Sequence, residues 1–293
     1  MKDDLPRKPE WLKVKFPAGP NYARIDRYHK QHGLNSVCRS AACPNQGECW
    51  SKGTATFMIL GHVCSRHCRF CNVGSGPLPV PDPEEPGKVA RAIAELQLKH
   101  AVITSVTRDD LADGGAQHFV RLIKEIRKLT DDCRIELLIP DLQGNWPALA
   151  TILDEGPDIL GHNVETVPRL YSRVRPEAEY RRSLELLAEA RRHNPEVVTK
   201  SGLMLGMGET NEEVLQVMID LREHGCRLLT LGQYLAPTRE HYPVQHYITP
   251  DEFAEYAAQG RKLGFEHVEA GPLVRSSYHA EEQYVASRGN GHG

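Results

Sequence analysis

Cysteine placement constrains this chain more than any other feature of its sequence. Six of the eight cysteines fall into two short triplets, Cys38, Cys43 and Cys49, then Cys64, Cys68 and Cys71. Each triplet supplies three thiolates, whereas structural zinc sites and four-iron clusters normally take four protein ligands. A shell that lacks one ligand leaves a metal position open to another molecule. The arrangement therefore predicts two neighbouring metal centres, each with one position available for chemistry.

The bulk composition argues against several functional classes. The 293 residues carry a formal net charge of -3, which favours neither nucleic acid nor an anionic membrane surface as a partner. No N-terminal signal segment is apparent, and no apolar run approaches the roughly 18 residues that span a bilayer. We therefore expect a cytoplasmic protein without a nucleic-acid or membrane partner, in which clustered cysteines bind metal.

An alternation of strands and helices predicts the fold. Residues 1–53 are interrupted by prolines, and we expect an irregular N-terminal extension that carries the first triplet. Seven strand-like runs follow with helical patterns between them, at 56–60, 101–106, 135–139, 158–164, 197–205, 228–235 and 265–270. This pattern predicts an α/β fold, a partial (β/α)6 TIM-like barrel over residues 54–264. Residues 265–293 add a last strand and a C-terminal extension with the motif RSSYHA.

Helix-boundary signals support this interpretation. Thr210 with Glu213, and Thr249 with Glu252, have the spacing of a capping box. Polar or glycine-rich loops follow the strands at 61–74, 107–115, 162–165, 206–210, 236–243 and 275–280. Since parallel barrels place their chemistry at the carboxyl ends of the strands, these loops predict a site at one mouth of the barrel.

The second triplet has the spacing C-x3-C-x2-C, which lets one loop bring three thiolates onto three corners of a cubane. The alternative is a zinc loop with His62 or His67 as the fourth ligand, although zinc sites more often use paired C-x2-C blocks. We favour an iron–sulfur cluster. The spacing is typical of radical S-adenosylmethionine enzymes, in which the open iron binds S-adenosylmethionine and its reductive cleavage releases a 5'-deoxyadenosyl radical. Phe70 could cover a ring of the bound ligand.

The first triplet has the spacing C-x4-C-x5-C. Alone, this spacing is a moderate signal, and the alternative is a zinc knuckle that holds down the extension. Beside a radical motif, a second cluster is the better interpretation. The longer run 37–73 then resembles lipoyl synthase, and so do residues 104–119, 161–176, 199–209 and 271–280. The resemblance extends from about residue 20 to 286, and no motif position departs from the family's pattern.

The resemblance implies a sulfurtransferase that completes lipoate biosynthesis. Such an enzyme inserts two sulfur atoms, at C6 and C8, into an octanoyl chain on a lysine of a carrier protein. Cys64, Cys68 and Cys71 would hold the radical [4Fe-4S] cluster. Cys38, Cys43 and Cys49 would hold an auxiliary [4Fe-4S] cluster that is consumed as the sulfur source.

The resemblance also implies a serine as the fourth auxiliary ligand. The candidates are Ser276 and Ser277, and we favour Ser277. An alkoxide is a harder and less usual iron ligand than a thiolate, so it could leave more readily when the cluster is dismantled. Without the resemblance, a solvated turn is the better interpretation of this serine pair. Arg275 could help to place the loop.

The family's partners follow from the same resemblance. Carriers are the lipoyl domains of 2-oxoacid dehydrogenase complexes and the H protein of glycine cleavage. The implied cofactors are two [4Fe-4S] clusters and S-adenosylmethionine. An electron donor such as flavodoxin or ferredoxin and an iron–sulfur carrier would also be needed.

Several polar residues at the mouth are candidates for binding the cofactor. Asn163 and Glu165 lie two apart and would face the same side of a strand, where they could bind the ribose or methionine part; the alternative is a satisfied hydrogen-bond network at the strand end. Lys200 could pair with the cofactor carboxylate or with Glu165; the alternative is a charge pair inside the barrel. Gly206 and Gly208 would let the backbone approach a ligand, although a simple turn is equally possible.

Four other charged residues have weaker interpretations. Asp109 and Asp110 precede a helix together with a third aspartate, and we expect at least one of these acids to cap it. Arg173 and Arg175 could steer an acidic carrier or bind the cofactor, although exposed charge is the simpler interpretation.

Two other functions compete with the favoured one. Another two-cluster radical enzyme, such as a methylthiotransferase or a biotin-synthase-like enzyme, would also carry two cysteine groups, but the first spacing and the terminal RSSYHA argue against it. A non-catalytic iron–sulfur or zinc protein would have no reason to keep two incomplete shells at one barrel mouth.

Overall fold

A computed structural model describes residues 8–13, 19–41, 43–51 and 55–289, apart from the side chains of 286–289. The strands, in chain order, are β1 (Thr56–Ile59), β2 (Val63–Cys64), β3 (Gly74–Ser75), β4 (His100–Ser105), β5 (Arg134–Leu138), β6 (Ile159–Gly161), β7 (Val198–Leu205), β8 (Leu228–Gln233) and β9 (His267–Gly271). Seven of them form one parallel sheet in the order β1-β4-β5-β6-β7-β8-β9, while β2 and β3 pair separately. Each strand is thus added beside the previous one, as in a barrel. Within the described residues no ladder joins β9 to β1, so the barrel is partial, as predicted.

Helices cover the outer face of the sheet. They are α1 (Pro20–Gln31), α2 (Val37–Ser40), α3 (Gln46–Ser51), α4 (Glu85–Glu95), α5 (Ala116–Leu129), α6 (Trp146–Asp154), α7 (Tyr171–Val174), α8 (Tyr180–His193), α9 (Asn211–Glu223), α10 (Pro250–Lys262) and α11 (Ala280–Gly289). In α5, buried Phe119, Leu122, Ile123 and Ile126 recur at helical spacing and form one apolar stripe. Such stripes bury the helices against a core built mainly from aliphatic side chains.

The predicted helix starts are confirmed at atomic detail. The Thr210 hydroxyl accepts from the Glu213 amide at 3.3 Å, and the Glu213 carboxylate accepts from the Thr210 amide at 2.8 Å. The same reciprocal pair joins Thr249 and Glu252 at the start of α10. Each box satisfies amide groups that a helix terminus leaves without partners.

The N-terminal extension is more regular than we expected. Pro20 lies in the first turn of α1, where its missing amide would have had no helical partner, so it starts a helix instead of interrupting one. Ile25 of α1 and Trp50 of α3 are fully buried in the main core. The first cysteine triplet therefore belongs to a packed layer of the fold.

The predicted strands are all present, and the one predicted at 158–164 is shortened the most. The run at 158–164 contributes only Ile159–Gly161, because the backbone after Gly161 leaves the ladder and reaches a left-handed φ of 64° at Glu165. This departure places the following polar residues at the mouth of the barrel.

Inside the barrel, a buried charge cluster lies towards the amino ends of the strands. The Lys200 ammonium donates to Glu136 Oε1 at 2.8 Å, and His100 Nε2 lies 2.9 Å from Glu136 Oε2. Burial alone would raise the pKa of Glu136, but Lys200 and His100 overcome it and lower that pKa to about 2. The carboxylate is therefore held in its charged form.

The C-terminal helix reaches the amino ends of the strands. α11 packs against β9 and β4. Its Tyr284 forms a small apolar cluster with the first residues of three neighbouring strands, Ile159, Val198 and Leu228. The chain after β9 therefore first passes the mouth of the barrel and then returns along the sheet.

Candidate functional site

The second triplet lies in the loop between β1 and α4, at the carboxyl end of the sheet. Burial raises the pKa of the Cys68 thiol to about 12 and that of Cys71 to about 11. The charges of Cys64 and Glu165 contribute to both raised pKa values. The three thiols and this carboxylate therefore share one electrostatic environment, as a single site at the mouth requires.

Backbone contacts hold this loop against the neighbouring segments. The Arg69 amide donates to the Val174 carbonyl at 2.8 Å, and the Arg69 carbonyl accepts from the Tyr242 amide at 2.7 Å. Asn72 Nδ2 donates to the Ser40 carbonyl at 2.8 Å, which joins the loop to α2 of the first triplet. The two triplets are thus neighbours in space as well as in sequence.

A buried arginine ties the same loop to the mouth of the barrel. Arg66 donates through Nε and Nη2 to the two Asp109 oxygens at 2.7 and 2.9 Å, and through Nη2 to Asp141 Oδ1 at 2.6 Å. Arg182 lies 3.3 Å from the other Asp141 oxygen. Burial would raise the pKa of Asp141, but Arg66 lowers it to about 2. The sequence interpretation missed this network because Arg66 stands in no capping or catalytic pattern.

The three aspartates of the loop after β4 have different partners. Asp109 binds Arg66, and Asp110 binds Arg108 through two contacts of 2.8 and 2.7 Å. The cap expected for α5 comes from Asp113, which accepts from the first-turn amide of Gln117 at 2.8 Å. One of the three acids is therefore a helix cap, as predicted, and the other two bind arginines.

The first triplet lies on α2, α3 and the turn between them. The Cys43 amide donates to the Cys38 carbonyl at 2.9 Å, and the Cys49 amide donates to the Asn45 carbonyl at 2.9 Å. Burial raises the pKa of the Cys43 thiol to about 11, Cys38 raises it further, and Arg275 lowers it. The three cysteines are thus gathered by two helical turns, with a residue of the C-terminal motif close by.

The C-terminal motif packs directly on this segment. Asn45 Nδ2 donates to the Leu273 carbonyl, and the Tyr278 hydroxyl lies 3.3 Å from a Glu48 carboxylate oxygen. Residues at opposite ends of the chain therefore meet at the first triplet.

The same motif also reaches the strand-end residues. Asn163 Nδ2 donates to the Ser276 hydroxyl at 2.7 Å and to Glu165 Oε1 at 3.1 Å. Asn163 and Glu165 therefore face the same side, as their spacing predicts. Within the described part of the chain Ser277 forms no comparable hydrogen bond, so of the two serines Ser276 is the one already engaged by a side chain.

Glu165 is an unusual acid. It is a non-glycine residue with a φ of 64°, a conformation that costs free energy and is common at functional sites. Burial raises its pKa, while Arg175 and Asn163 act in the opposite direction. Arg175 is 7% exposed and donates to the Asn163 carbonyl at 2.8 Å, so the exposed charge that we expected is wrong for this arginine.

Two strand glycines make room for these groups, and the sequence interpretation missed both. A Cβ on Gly232 of β8 would lie 2.0 Å from the Val274 carbonyl oxygen, and one on Gly202 of β7 would lie 3.1 Å from Asn163 Oδ1. Glycine inside a strand often marks a close backbone approach, and this signal could have indicated the seat of the C-terminal motif.

Three predicted cofactor residues have structural partners within the protein. Lys200 pairs with Glu136 and not with Glu165, because its ammonium lies inside the barrel below the mouth. A Cβ on Gly206 would lie 2.2 Å from Gln233 Nε2, and one on Gly208 would lie 3.3 Å from a neighbouring side chain. Their φ values of 99° and 100° are those of a turn. Contact of these residues with a cofactor stays a prediction, and the observed packing favours the alternatives.

Two cavities adjoin the barrel. One of about 200 Å³ lies at the mouth between the loops after β4 and β5, beside Asp109 and Leu142. Another of about 340 Å³ lies at the amino end of the strands among Arg191, Arg222 and Arg227, away from every cysteine of the triplets. Since chemistry in parallel barrels lies at the carboxyl ends, the larger cavity is not the site. Phe70 packs against the core beside the second triplet.

The donor set fits clusters better than single ions. Across residues 8–13, 19–41, 43–51 and 55–289, no three His, Cys, Asp or Glu side chains are arranged to hold one metal ion. In a cubane each thiolate binds a different iron, so the sulfurs need not converge on one point. Three partly buried thiols on one loop, with an amide directed at one sulfur, suit such a cluster: Arg66 N donates to Cys64 Sγ at 3.4 Å.

Comparisons with known proteins identify the family of the chain. A sequence profile of the Radical SAM superfamily matches residues 58–221. The lipoyl synthase of Chloroflexus aggregans is 55% identical over 276 residues, 94% of this chain and 90% of that protein. The lipoyl synthase of Stutzerimonas stutzeri is 53% identical over 96% of this chain and 87% of that protein, and the one of Roseiflexus sp. is 54% identical over 95% and 94%.

Solved structures agree on the fold. Methylornithine synthase (PylB) superposes with a TM-score of 0.52 and 13% identity over 76% of this chain and 67% of its own. HydG, a maturase of the [FeFe]-hydrogenase, gives a TM-score of 0.55 and 13% identity over 94% of this chain and 66% of its own. No helix in the described residues is long and apolar enough to cross a membrane. With these identities over nearly its whole length, the chain belongs to the lipoyl synthase family of radical S-adenosylmethionine enzymes.

Proposed function

We propose that the chain inserts two sulfur atoms, at C6 and C8, into the octanoyl chain of an N6-octanoyl-lysine on a carrier protein. Cys64, Cys68 and Cys71 would hold the cluster that binds S-adenosylmethionine. Cys38, Cys43 and Cys49 would hold the auxiliary cluster. The observation that carries this assignment is the C-terminal motif, which contacts Glu48 in the first-triplet segment through Tyr278 and Asn163 at the strand end through Ser276.

The two bound groups supply complementary chemistry: one generates the 5'-deoxyadenosyl radical and the other provides sulfur. This chain's residues hold both at one mouth. The bond from Asn72 to Ser40 connects the two cysteine segments, and the bond from Asn163 to Ser276 connects the strand end with the C-terminal motif. These two bonds would keep the groups that the triplets hold close to each other at the mouth.

Asn163 and Glu165 are proposed to orient S-adenosylmethionine. Glu165 accepts from Asn163 and is buried beside the second triplet, so it has an acceptor oxygen for a ribose hydroxyl or an ammonium group. The strained backbone at Glu165 fixes the direction of this side chain. Arg175 holds the Asn163 carbonyl at 2.8 Å and so keeps this pair in place.

Ser277 is proposed as the fourth ligand of the auxiliary cluster. Ser276 is engaged by Asn163, whereas Ser277 is next to it in a motif that already contacts the first-triplet segment. Arg275 lies close enough to Cys43 to lower its thiol pKa, which favours the thiolate that iron requires. We propose that Arg275 helps to form the auxiliary site.

Partners follow from the reaction. We propose that octanoylated lipoyl domains of 2-oxoacid dehydrogenase complexes and the glycine-cleavage H protein are the carriers. Flavodoxin or ferredoxin would supply electrons, and an iron–sulfur carrier would rebuild the auxiliary cluster. We propose that the reaction takes place in the cytoplasm.

Cysteine variants test the division of labour. After anaerobic reconstitution, two [4Fe-4S] clusters require about eight irons per chain. With an octanoylated lipoyl domain, the wild type should give a product heavier by two sulfurs and lighter by two hydrogens. Cys38→Ala should still cleave S-adenosylmethionine but insert no sulfur, whereas Cys64→Ala should lose both activities.

Cys133→Ala is the matched control because Cys133 is buried outside both triplets. It should keep the iron content and the product yield of the wild type. Full product yield from Cys38→Ala would refute the sacrificial role of the first cluster. Tightly bound zinc in place of iron, without cleavage of S-adenosylmethionine, would refute the enzymatic assignment altogether.

A further inference from the structure

In the sequence, the buried Arg66 lies between Cys64 and Cys68, two proposed ligands of the radical cluster. Its side chain is 5% exposed, and it is held by Asp109 from the loop after β4 and by Asp141 from the loop after β5. One carboxylate binds this guanidinium through two contacts and the other binds it through a third, so the guanidinium has one well-defined position. The loop after β1 is therefore fixed to two neighbouring strand ends through one side chain.

The second carboxylate is itself held by a strained turn. Leu142, Gln143 and Gly144 follow Asp141 with φ values of 48°, 51° and 78°. Two consecutive non-glycine residues in the left-handed region cost about 1–3 kcal/mol each and persist only where the surroundings enforce them. Asp141 Oδ1 accepts from the Gln143 amide at 3.1 Å, and a Cβ on Gly114 would lie 2.9 Å from Leu142. The strained backbone therefore occurs at the turn that directs the Asp141 carboxylate towards Arg66.

The backbone that this anchor fixes points at a cluster sulfur. The Arg66 amide donates to Cys64 Sγ at 3.4 Å. The preceding Ser65 amide donates to the Thr107 carbonyl at 3.0 Å, and Ser65 Oγ lies 3.1 Å from Asp109. Both residues after Cys64 are therefore attached to the loop after β4, and the direction of the Arg66 amide is set by contacts of its own side chain.

We infer that Arg66 is a positioning residue whose anchoring by Asp109 and Asp141 fixes the hydrogen bond from its amide to Cys64 Sγ and so sets the reduction potential of the cluster bound there. Reduction adds negative charge to the cluster and its sulfurs. An amide directed at a sulfur stabilises the reduced form and raises the potential, since hydrogen bonds to the sulfurs are among the determinants of cluster potentials. This inference rests on the proposed function, because it takes Cys64 as a ligand of the radical cluster.

The test uses substitutions that conserve charge, because a change of net charge beside a cluster would itself shift the potential. Arg66→Lys keeps the charge and loses the fork that binds two carboxylates. Arg108→Lys is the matched control: Arg108 is 2% exposed, forms a bidentate pair with Asp110 and precedes Asp109, and its pair lies on one loop. The full-length chain with both clusters is titrated electrochemically, following the EPR signal that changes when S-adenosylmethionine is added.

Arg66→Lys should lower the midpoint potential of this cluster. At a fixed potential the ratio of oxidised to reduced cluster should rise about tenfold, which corresponds to a fall of about 59 mV in the midpoint potential of a one-electron couple. Hydrogen exchange in the metal-free protein should accelerate over residues 61–74. Arg108→Lys should leave both readouts unchanged. If Arg66→Lys binds no cluster, Asp109→Glu replaces it in the same comparison, since it keeps the charge and changes the fork geometry.

A wild-type potential in the Arg66 variant, or an equal fall in both variants, would overturn the inference, because the latter indicates general loosening of the mouth. Failure of the proposed function gives a different result. In that case Cys64→Ala would keep the S-adenosylmethionine-sensitive EPR signal, whatever the potential of the arginine variants.

Discussion

Gly232→Ala tests whether the C-terminal motif is seated by the absence of a side chain in β8. A Cβ at this position would lie 2.0 Å from the Val274 carbonyl oxygen, whereas ordinary contacts begin at 3.4 Å. The loop that carries Ser276 and Ser277 must therefore shift by about 1.4 Å. Gly232 does not have a left-handed φ, so alanine changes the space available and not the backbone preference.

The magnitude follows from this displacement. Overpacking of a well-packed site costs about 1–3 kcal/mol, and each kcal/mol lowers the melting temperature of a large domain by roughly 2–4 °C. A misplacement of about 1 Å at a reacting centre can cost about 100-fold in rate. We therefore expect Gly232→Ala to melt several degrees lower and to insert sulfur about 100-fold more slowly. Cleavage of S-adenosylmethionine should continue, since the second triplet does not depend on this loop for its backbone contacts.

Gly271→Ala is the control for this prediction. Gly271 of β9 is the register partner of Gly232, and its Cβ would meet only a Val274 methyl group at 3.4 Å. The control should melt and insert sulfur like the wild type, as measured by calorimetry and by mass spectrometry of an octanoylated carrier. Equal losses in both variants, or normal sulfur insertion by Gly232→Ala, would refute the steric reasoning.

Three further outcomes are expected. Lys200→Met removes one partner of the buried Glu136–Lys200 pair and should destabilise the metal-free protein by about 3–5 kcal/mol in urea unfolding. The double variant Glu136→Leu with Lys200→Met should cost much less, because no buried charge is left without its partner. Equal losses of stability in the two variants would contradict this. Burial lowers the pKa of His162 to about 4 in the folded protein. As the pH falls from 6.5 to 4, the unfolded chain therefore binds a proton on this histidine that the folded protein does not, and up to roughly 3 kcal/mol of stability should be lost. His162→Gln should flatten that part of the stability profile; an unchanged slope would exclude this residue as its source. Glu165→Gln should weaken binding of S-adenosylmethionine about 10- to 100-fold in calorimetric titration of the reconstituted protein, with unchanged iron content, and wild-type affinity would exclude the contact.

The barrel could be predicted from the sequence because its signals are local. Apolar runs, capping boxes and loop composition each lie within a few residues, and the structure places a strand or a helix start where they indicated one. The exceptions also have local causes. Pro20 starts α1 instead of interrupting it, and the backbone leaves the ladder of β6 after Gly161.

The candidate site could be predicted only in part. The cysteines are recognisable because their spacing is itself the chemical pattern, but their surroundings depend on pairs distant in sequence. Arg66 meets Asp141, and Asn163 meets Ser276, across 75 and 113 positions respectively. The hydrophobic periodicity of a sequence carries no information about pairs so far apart in the chain. Lys200 lies in the internal ion pair that the sequence left open as an alternative to the mouth, because the sequence does not show how deep in the barrel a charged strand residue lies.

The junction between Asn45 and Leu273 joins residues 228 positions apart, and that distance has a consequence for biogenesis. A ribosome releases the three N-terminal thiols long before it has made the serines that complete their surroundings. With Ser277 as the proposed fourth ligand, an incomplete chain cannot form the finished auxiliary centre, so we expect metal loading there to wait for the whole polypeptide. We therefore expect a chain that ends before the RSSYHA motif to lack the proposed fourth ligand and to donate no sulfur.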